Sequence, residues 1–166
     1  MWLLRFSMPT NVHQGDMMNR IMGLDIGDAT IGIALSDPGH KMAFPHENYR
    51  RVGAKKDIAH IIDTIIINDV INIVAGMPYN MNGTIGPQAE KTQRFILNLE
   101  KKLQHTDKIN WKVEVVKWDE RLSSKSAERS MLAADLSREN RKQKIDMVAG
   151  AIILQTYLDY IQNGGL

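Results

Sequence analysis

Apolar and polar positions change rhythm along the chain, and each rhythm predicts an element. Two apolar runs, near residues 20–25 and 30–36, flank a short turn containing Gly27 and Asp28 and read as paired strands. A third extended stretch covers about residues 42–48, where Pro45 points to an edge position or a strand end. The turn residues Gly27-Asp28 and Asp37-Pro38-Gly39 join the three as an antiparallel meander. Residues 55–68 then switch to a helical period, with Ile58, Ile61, Ile62, Ile65 and Ile66 forming one apolar stripe. Val70–Ala75 is a short apolar strand, followed by a loop from Gly76 to Pro87 rich in Gly, Pro and Asn. Gln88–His105 is a second helix, with Thr92, Phe95, Ile96, Leu99 and Leu103 on one face. Trp111–Trp118 alternates in a strand's period of two and ends at Asp119-Glu120-Arg121. A third helix is expected from about Ser124 to Ala134, with Ser123 or Ser124 as N-cap. A basic linker, Asp135–Lys142, then leads to a last helix from about Gln143 to Ile161.

That order predicts an α/β domain over residues 20–166. Its mixed five-stranded sheet has three antiparallel strands, then two that join in parallel through crossovers, with helices on its faces. Residues 1–19 do not share these rhythms. Their apolar part is too short for a signal peptide and lacks a basic leader, so they are expected to be a disordered tail or an over-called start.

Composition narrows the class only a little. At 166 residues, with 43% hydrophobic and 24% charged positions, the chain suits one globular domain. Its formal net charge of +2 is too mild to argue for nucleic acid, so any basic footprint must be local. There is no cysteine, which excludes disulfides, thiolate metal sites and a cysteine nucleophile, and fits the cytoplasm. No apolar run is long enough to suggest a membrane-spanning helix.

Four acids stand out against this background. Asp25 sits between two apolar strands, where a carboxylate is costly to desolvate unless it is paired or binds a cation. Asp119 and Glu120 end another strand, which a parallel sheet brings near the first. Asp146 falls early in the last helix, in an i, i+4, i+7 row with Gly150 and Ile153 beside the apolar face. Each has an ordinary alternative: a turn-stabilising Asx residue at Asp25, a surface ion pair at Glu120, a helix-dipole partner at Asp146. Together they match the three or four converging carboxylates that two-metal phosphodiester hydrolysis requires, with Mg2+ or Mn2+ as the ion.

The basic residues concentrate beside these acids. Arg121, Lys125 and Arg129 are spaced i, i+4, i+8, and Arg138, Arg141, Lys142 and Lys144 crowd the approach to Asp146. Between Lys117 and Ile145 there are eight Lys and Arg against five Asp and Glu, a local +3. Such a stripe is either a solvated helix face or a phosphate-backbone footprint. The five histidines have no ligand spacing, and no serine sits in a Gly-x-Ser-x-Gly elbow.

Four blocks then carry a resemblance. They are Gly23-Leu24-Asp25-Ile26-Gly27 with Ile31-Gly32-Ile33-Ala34-Leu35-Ser36-Asp37, Gly76 to Ala89, Trp118-Asp119-Glu120-Arg121-Leu122-Ser123-Ser124, and Lys144 to Gln155. In this order and spacing they resemble the YqgF (RuvX) family, known as Holliday junction resolvase-like or pre-ribosomal RNA nucleases. The likeness runs from about Arg20 to Tyr160. It implies a ribonuclease H-like fold and metal-dependent phosphodiester hydrolysis in the bacterial cytoplasm. The implied task is maturing the 5′ end of the small-subunit ribosomal RNA precursor. It also implies that Asp25, Glu120 and Asp146 are the catalytic acids, with Asp119 as a neighbour. Asn80, Asn82 and Gly83 would form a loop that contacts substrate or shapes the site. One departure concerns the first turn. The family usually carries a basic pair there, whereas this chain reads Asp28-Ala29-Thr30.

The expectation is therefore a Mg2+- or Mn2+-dependent nuclease acting on ribosomal RNA precursor, as a monomer or homodimer and without a membrane partner. Three rivals are a Holliday junction resolvase cutting branched DNA, a non-catalytic nucleic-acid-binding protein, and an actin-type ATPase. The last needs two such domains, and this chain has room for one.

Overall fold

Three apolar runs and their tight turns fold into a meander: β1 (Arg20–Ile26), β2 (Thr30–Ser36) and β3 (Ala43–Arg50). The computed structural model describes residues 18–122 and 138–165, and of residues 138–147 only the backbone. After the meander come α1 (Ala54–Ile67), β4 (Val70–Met77), α2 (Pro87–His105), β5 (Glu114–Asp119), a 3-10 turn (Glu120–Leu122) and α3 (Arg138–Gln162). The strands form one sheet in the order β3-β2-β1-β4-β5. β1–β2 and β2–β3 are antiparallel, and β1–β4 and β4–β5 are parallel, as the chain's rhythm predicts. Pro45 lies on the edge strand, opposite Ala34 where the register shifts, a position that tolerates its missing donor.

Both faces of the sheet are covered. Met22, Leu24 and Ile26 of β1 and Ile73 and Ala75 of β4 pack against the stripe of α1 (Ile58, Ile61, Ile62, Ile65) and against Phe95, Ile96 and Leu99 of α2. The alternate residues Ile21, Ala34 and Val74 face Ile153, Leu154 and Leu158 of α3. Side-chain alternation along a strand thus assigns odd positions of β1, Asp25 among them, to the α3 side.

Glycine sets how closely α3 approaches. A Cβ at Gly23 would lie 2.5 Å from the Gly150 carbonyl oxygen and 2.7 Å from Leu154 Cβ. A Cβ at Gly150 would lie 2.8 Å from the Gly32 carbonyl oxygen. Backbone therefore rests on backbone at this crossing. The orientation of α3 is fixed further along. Gln155 Oε1 accepts from Ala43 N at 2.8 Å, and Gln162 Nε2 donates to the His40 carbonyl at 2.7 Å. The C-terminal half of α3 thus sits at the start of β3, and its Tyr157 and Tyr160 rings pack against Trp118 of β5.

Three expected boundaries move. β4 continues through Gly76 and Met77, which pair with Trp118 and Asp119, so the loop starts later than expected. β5 begins at Glu114 rather than Trp111: Val70 pairs with Arg20, and the β4–β5 ladder starts only at Asn72–Glu114. Trp111 and Val113 still pack on the core, and Trp111 Nε1 donates to the Val70 carbonyl at 2.8 Å. α3 begins at Arg138, taking in part of the expected Asp135–Lys142 linker, because its Arg, Glu and Lys residues are good helix formers. The helix expected over 124–134, and the tail, 1–17, fall outside the described residues.

Candidate active site

The sheet topology brings two of the predicted acids together at the C-terminal ends of the parallel strands. Asp25 is the penultimate residue of β1 and pairs with Gly32. Glu120 directly follows β5, two strands away, and β4 lies between. Adjacent strands are about 4.8 Å apart, so a Glu side chain can span the gap only if β4 leaves it room. Gly76 does so. A Cβ there would fall 2.5 Å from Glu120 Oε1, 2.8 Å from its Cγ and 2.6 Å from Ile153 Cδ1. Glu120 thus lies across the bare backbone of Gly76, beneath α3, and its carboxyl reaches a hydrogen bond with Asp25.

That position sets the protonation of Glu120. Burial, then the Asp25 charge and the hydrogen bond to Asp25, and then Asp119, push its carboxyl up to about 7. On the acid side of about 7 Glu120 therefore keeps a proton, shared with Asp25 through their hydrogen bond. Loss of that proton leaves two hard oxygen donors side by side, the ligand chemistry that Mg2+ and Mn2+ take. Among the described residues no group of three or more His, Cys, Asp or Glu side chains is placed to hold a metal ion. Position 146 falls one helical turn before Gly150 on α3, and its side chain is outside the described set.

Asp119 is arranged differently from its neighbour. Trp118 packs on the α3 side, so alternation sends Asp119 to the other face of the sheet. Arg121 holds it there, with Nη2–Oδ2 at 2.6 Å and Nε at 3.0 Å from both oxygens, and its backbone N–H donates to Oδ1 at 3.0 Å. The side-chain hydrogen bonds from Arg121 keep the Asp119 carboxyl below the usual range. Arg121 also donates to the Met81 carbonyl at 3.3 Å and lies over the Tyr79 ring. It therefore ties the end of β5 to the loop after β4.

Asn80 and Asn82 build that loop from within. Asn80 N–H donates to the Thr84 carbonyl at 2.9 Å, and Gly83 N–H to the Asn80 carbonyl at 2.8 Å. Asn80 Nδ2 reaches Thr84 Oγ1 at 2.9 Å, and Asn82 Oδ1 accepts from the Thr84 hydroxyl at 2.6 Å. Gly83 has a φ of 84°, a backbone conformation that favours glycine. A Cβ there would also stand 3.3 Å from Arg121 Nη1. Of the other predicted contacts, Lys125 and Arg129 lie outside the described residues. Arg138, Arg141, Lys142 and Lys144 lie in the first turns of α3, with side chains outside the described set. The role of Gly76 in making room for Glu120 has no local signal in the sequence, since a glycine after an apolar run reads as a strand end.

The sheet order, the helices on both faces and the carboxyl pair at the strand ends define a ribonuclease H-like nuclease domain. Solved structures share the fold. Thermus thermophilus RuvC in complex with a Holliday junction substrate is 12% identical, with a TM-score of 0.55 over 88% of this chain and 96% of that one. A further T. thermophilus RuvC structure gives 0.52 at 10% identity, covering 88% of this chain and 97% of that one. Residues 19–160 match the family RuvX, described as Holliday junction resolvase, and the chain belongs to that family. Among curated relatives, a protein of Clostridioides difficile (strain 630) is 49% identical over 85% of this chain and 94% of its own length. One of Syntrophomonas wolfei is 50% identical over 84% of this chain and 94% of its own. Both carry the name "Putative pre-16S rRNA nuclease".

Proposed function

We propose that this chain is a divalent-metal-dependent nuclease of the bacterial cytoplasm that trims the 5′ end of the 16S ribosomal RNA precursor. The observation that carries this reading is the Asp25–Glu120 carboxyl pair lying across Gly76. The names of the relatives support the RNA substrate. The donor set fits Mg2+ or Mn2+, since both groups are hard oxygen ligands at the open end of a sheet. A bound ion of this kind lowers the pKa of a water and offsets charge on the phosphoryl oxygens. The protein's own share is positional. Asp25 on β1 and Glu120, directly after β5, would hold the ion once their shared proton is lost. Asp146 joins them as the third acid, a reading supported by its place one turn before Gly150. Asp119 serves by fixing Arg121, and Asn80 and Asn82 shape the rim of the site.

The experiment compares an RNA carrying the 16S 5′ precursor sequence with a four-way DNA junction, each with Mg2+ and with EDTA. RNA is cut in Mg2+ only, and Asp25→Asn reduces cutting to background. Wild-type activity in Asp25→Asn would overturn the assignment of the acids. Cutting of the junction alone would shift the reading to a branched-DNA resolvase, the activity in the family's description.

A further inference from the structure

A second charged hollow lies at the same end of the sheet, on the opposite face from the carboxyl pair. It is a cavity of about 220 Å³ between the β1–β2 turn, the start of α1 and the first half of α2. Three cations, Arg51, Lys91 and Arg94, line it against one acid, Asp28. Neither the four sequence blocks nor the expected basic stripe includes these cations.

The three cations are held to different degrees. Arg51 is fixed: Nε meets Asp57 Oδ2 at 2.9 Å, Nη1 donates to the Gly27 carbonyl at 2.8 Å, and the guanidinium lies over the Phe95 ring. Lys91 makes one loose contact, 3.2 Å to Asp28, with both side chains more than half exposed. Such a pair contributes little and opens easily. Arg94 is exposed and has no ion pair among the described residues. Lys91 and Arg94 are three residues apart on α2, so they project from the same side. Thr92, beneath them, is 1% exposed, and its Oγ1 has no hydrogen-bond partner among the described residues.

Placement says what such a hollow takes. Asp28 is three residues beyond Asp25, a reach of at most about 11 Å along the chain. A strand lying across Asp25 and Glu120 therefore brings its neighbouring phosphates to the hollow's edge. The turn itself, Gly27-Asp28-Ala29-Thr30, carries no cation to meet them. The Phe95 ring is buried under Arg51 and offers no open face for a base. Charge without a stacking surface suits backbone phosphate, read without regard to sequence.

We propose that this hollow is a phosphodiester-binding subsite for the nucleic-acid strand flanking the cut. Lys91 and Arg94 are the contacts that move to the phosphate, and Arg51 is the fixed one. Asp28 is an internal competitor, which Lys91 leaves when phosphate arrives. This rests on the nuclease reading above, and the test separates the two.

The test uses the full chain carrying Asp25→Asn, so that RNA is bound but not cut. Fluorescence anisotropy of a labelled single-stranded RNA is followed over a series of NaCl concentrations. Adding Lys91→Ala and Arg94→Ala weakens binding and flattens the slope of log K against log salt by about 1.4, roughly 0.7 for each lost phosphate contact on a single strand. Adding Asp28→Asn instead tightens binding about threefold, the scale of one exposed ion pair. A folding defect cannot produce that gain. Unchanged affinity and slope in both variants, on a parent that binds RNA with a steep salt dependence, overturns the subsite and leaves the nuclease reading standing. A parent that does not bind RNA at any salt overturns both.

Discussion

Gly76 and Glu120 share a single space: the position a Cβ would take at residue 76 is 2.5 Å from Glu120 Oε1. The central strand of the parallel half of the sheet thus omits a side chain at the point where an acid from its neighbour crosses toward Asp25. Gly76→Ala is expected to displace Glu120 and separate the pair. Part of what it meets is the end of a flexible side chain, so the cost in stability is modest, about 1–2 kcal/mol. Activity falls much further than stability does. Urea unfolding and RNA cleavage, measured on the same preparation, check this; a variant that keeps full activity would sink the spatial argument.

The contact between Gly23 and Gly150 behaves in the opposite way. A Cβ at Gly23 meets the Gly150 carbonyl oxygen at 2.5 Å and Leu154 Cβ at 2.7 Å, and neither atom can turn aside. Gly23→Ala must lift α3 off the sheet, and the expected cost is about 3 kcal/mol or more. Its urea midpoint should fall well below that of Gly76→Ala. Equal midpoints would mean that α3 is free to move.

Much of this arrangement was readable in the chain's periodicity. The isoleucine stripe of α1 and the alternation of β1 and β2 each bury one face, and burial of one face fixes period and register. Asp25 was legible because an acid amid apolar strand residues has few cheap explanations. Boundaries set by pairing were less legible. Trp111 and Val113 alternate as strand residues do, but β4 offers them no ladder partner. Asp119 and Glu120 are adjacent in sequence, yet one ends a strand and the other begins a 3-10 turn, with opposite faces and opposite pKa directions. The Arg51–Gly27 contact joins residues 24 apart, and local pattern cannot report it.

Asp57 anchors the same corner from α1. It accepts hydrogen bonds from Val52 N at 2.9 Å, Gly53 N at 3.2 Å and Arg51 Nε at 2.9 Å. Burial pushes its carboxyl up, but the Val52 bond, the Arg51 contacts and the Gly53 bond together hold it below the usual 3.8. Its stabilisation is therefore complete above the unfolded-state value and is lost as pH falls below 3.8 through the lower folded value. Asp57→Ala is expected to cost about 3 kcal/mol near neutral pH, since it strands the Arg51 charge and two backbone donors. That deficit should narrow once pH drops below the folded value. Chemical denaturation at neutral and strongly acidic pH tests the sign; a deficit that does not change between them would contradict it.

Glu120 carries the opposite linkage. Its carboxyl is raised from 4.5 to about 7, by burial first and by Asp25 next. Between those two values the folded chain holds a proton that the unfolded chain has lost. In metal-free protein this contribution to stability therefore falls as pH rises from 4.5 to about 7 and is gone above it. The swing is at most about 3 kcal/mol, reduced by solvent screening because Glu120 is only partly buried. Glu120→Gln removes the titration, so its stability relative to wild type should climb across that range while cleavage is lost. Mg2+ added near pH 8 should recover the deficit in wild type and leave Glu120→Gln unmoved, because only the wild type gains from placing a cation between the two carboxylates. The measurement is a set of urea titrations in EDTA and in Mg2+ near pH 5 and near pH 8. A variant that tracks wild type at both pH values would show that Glu120 does not share a proton with Asp25.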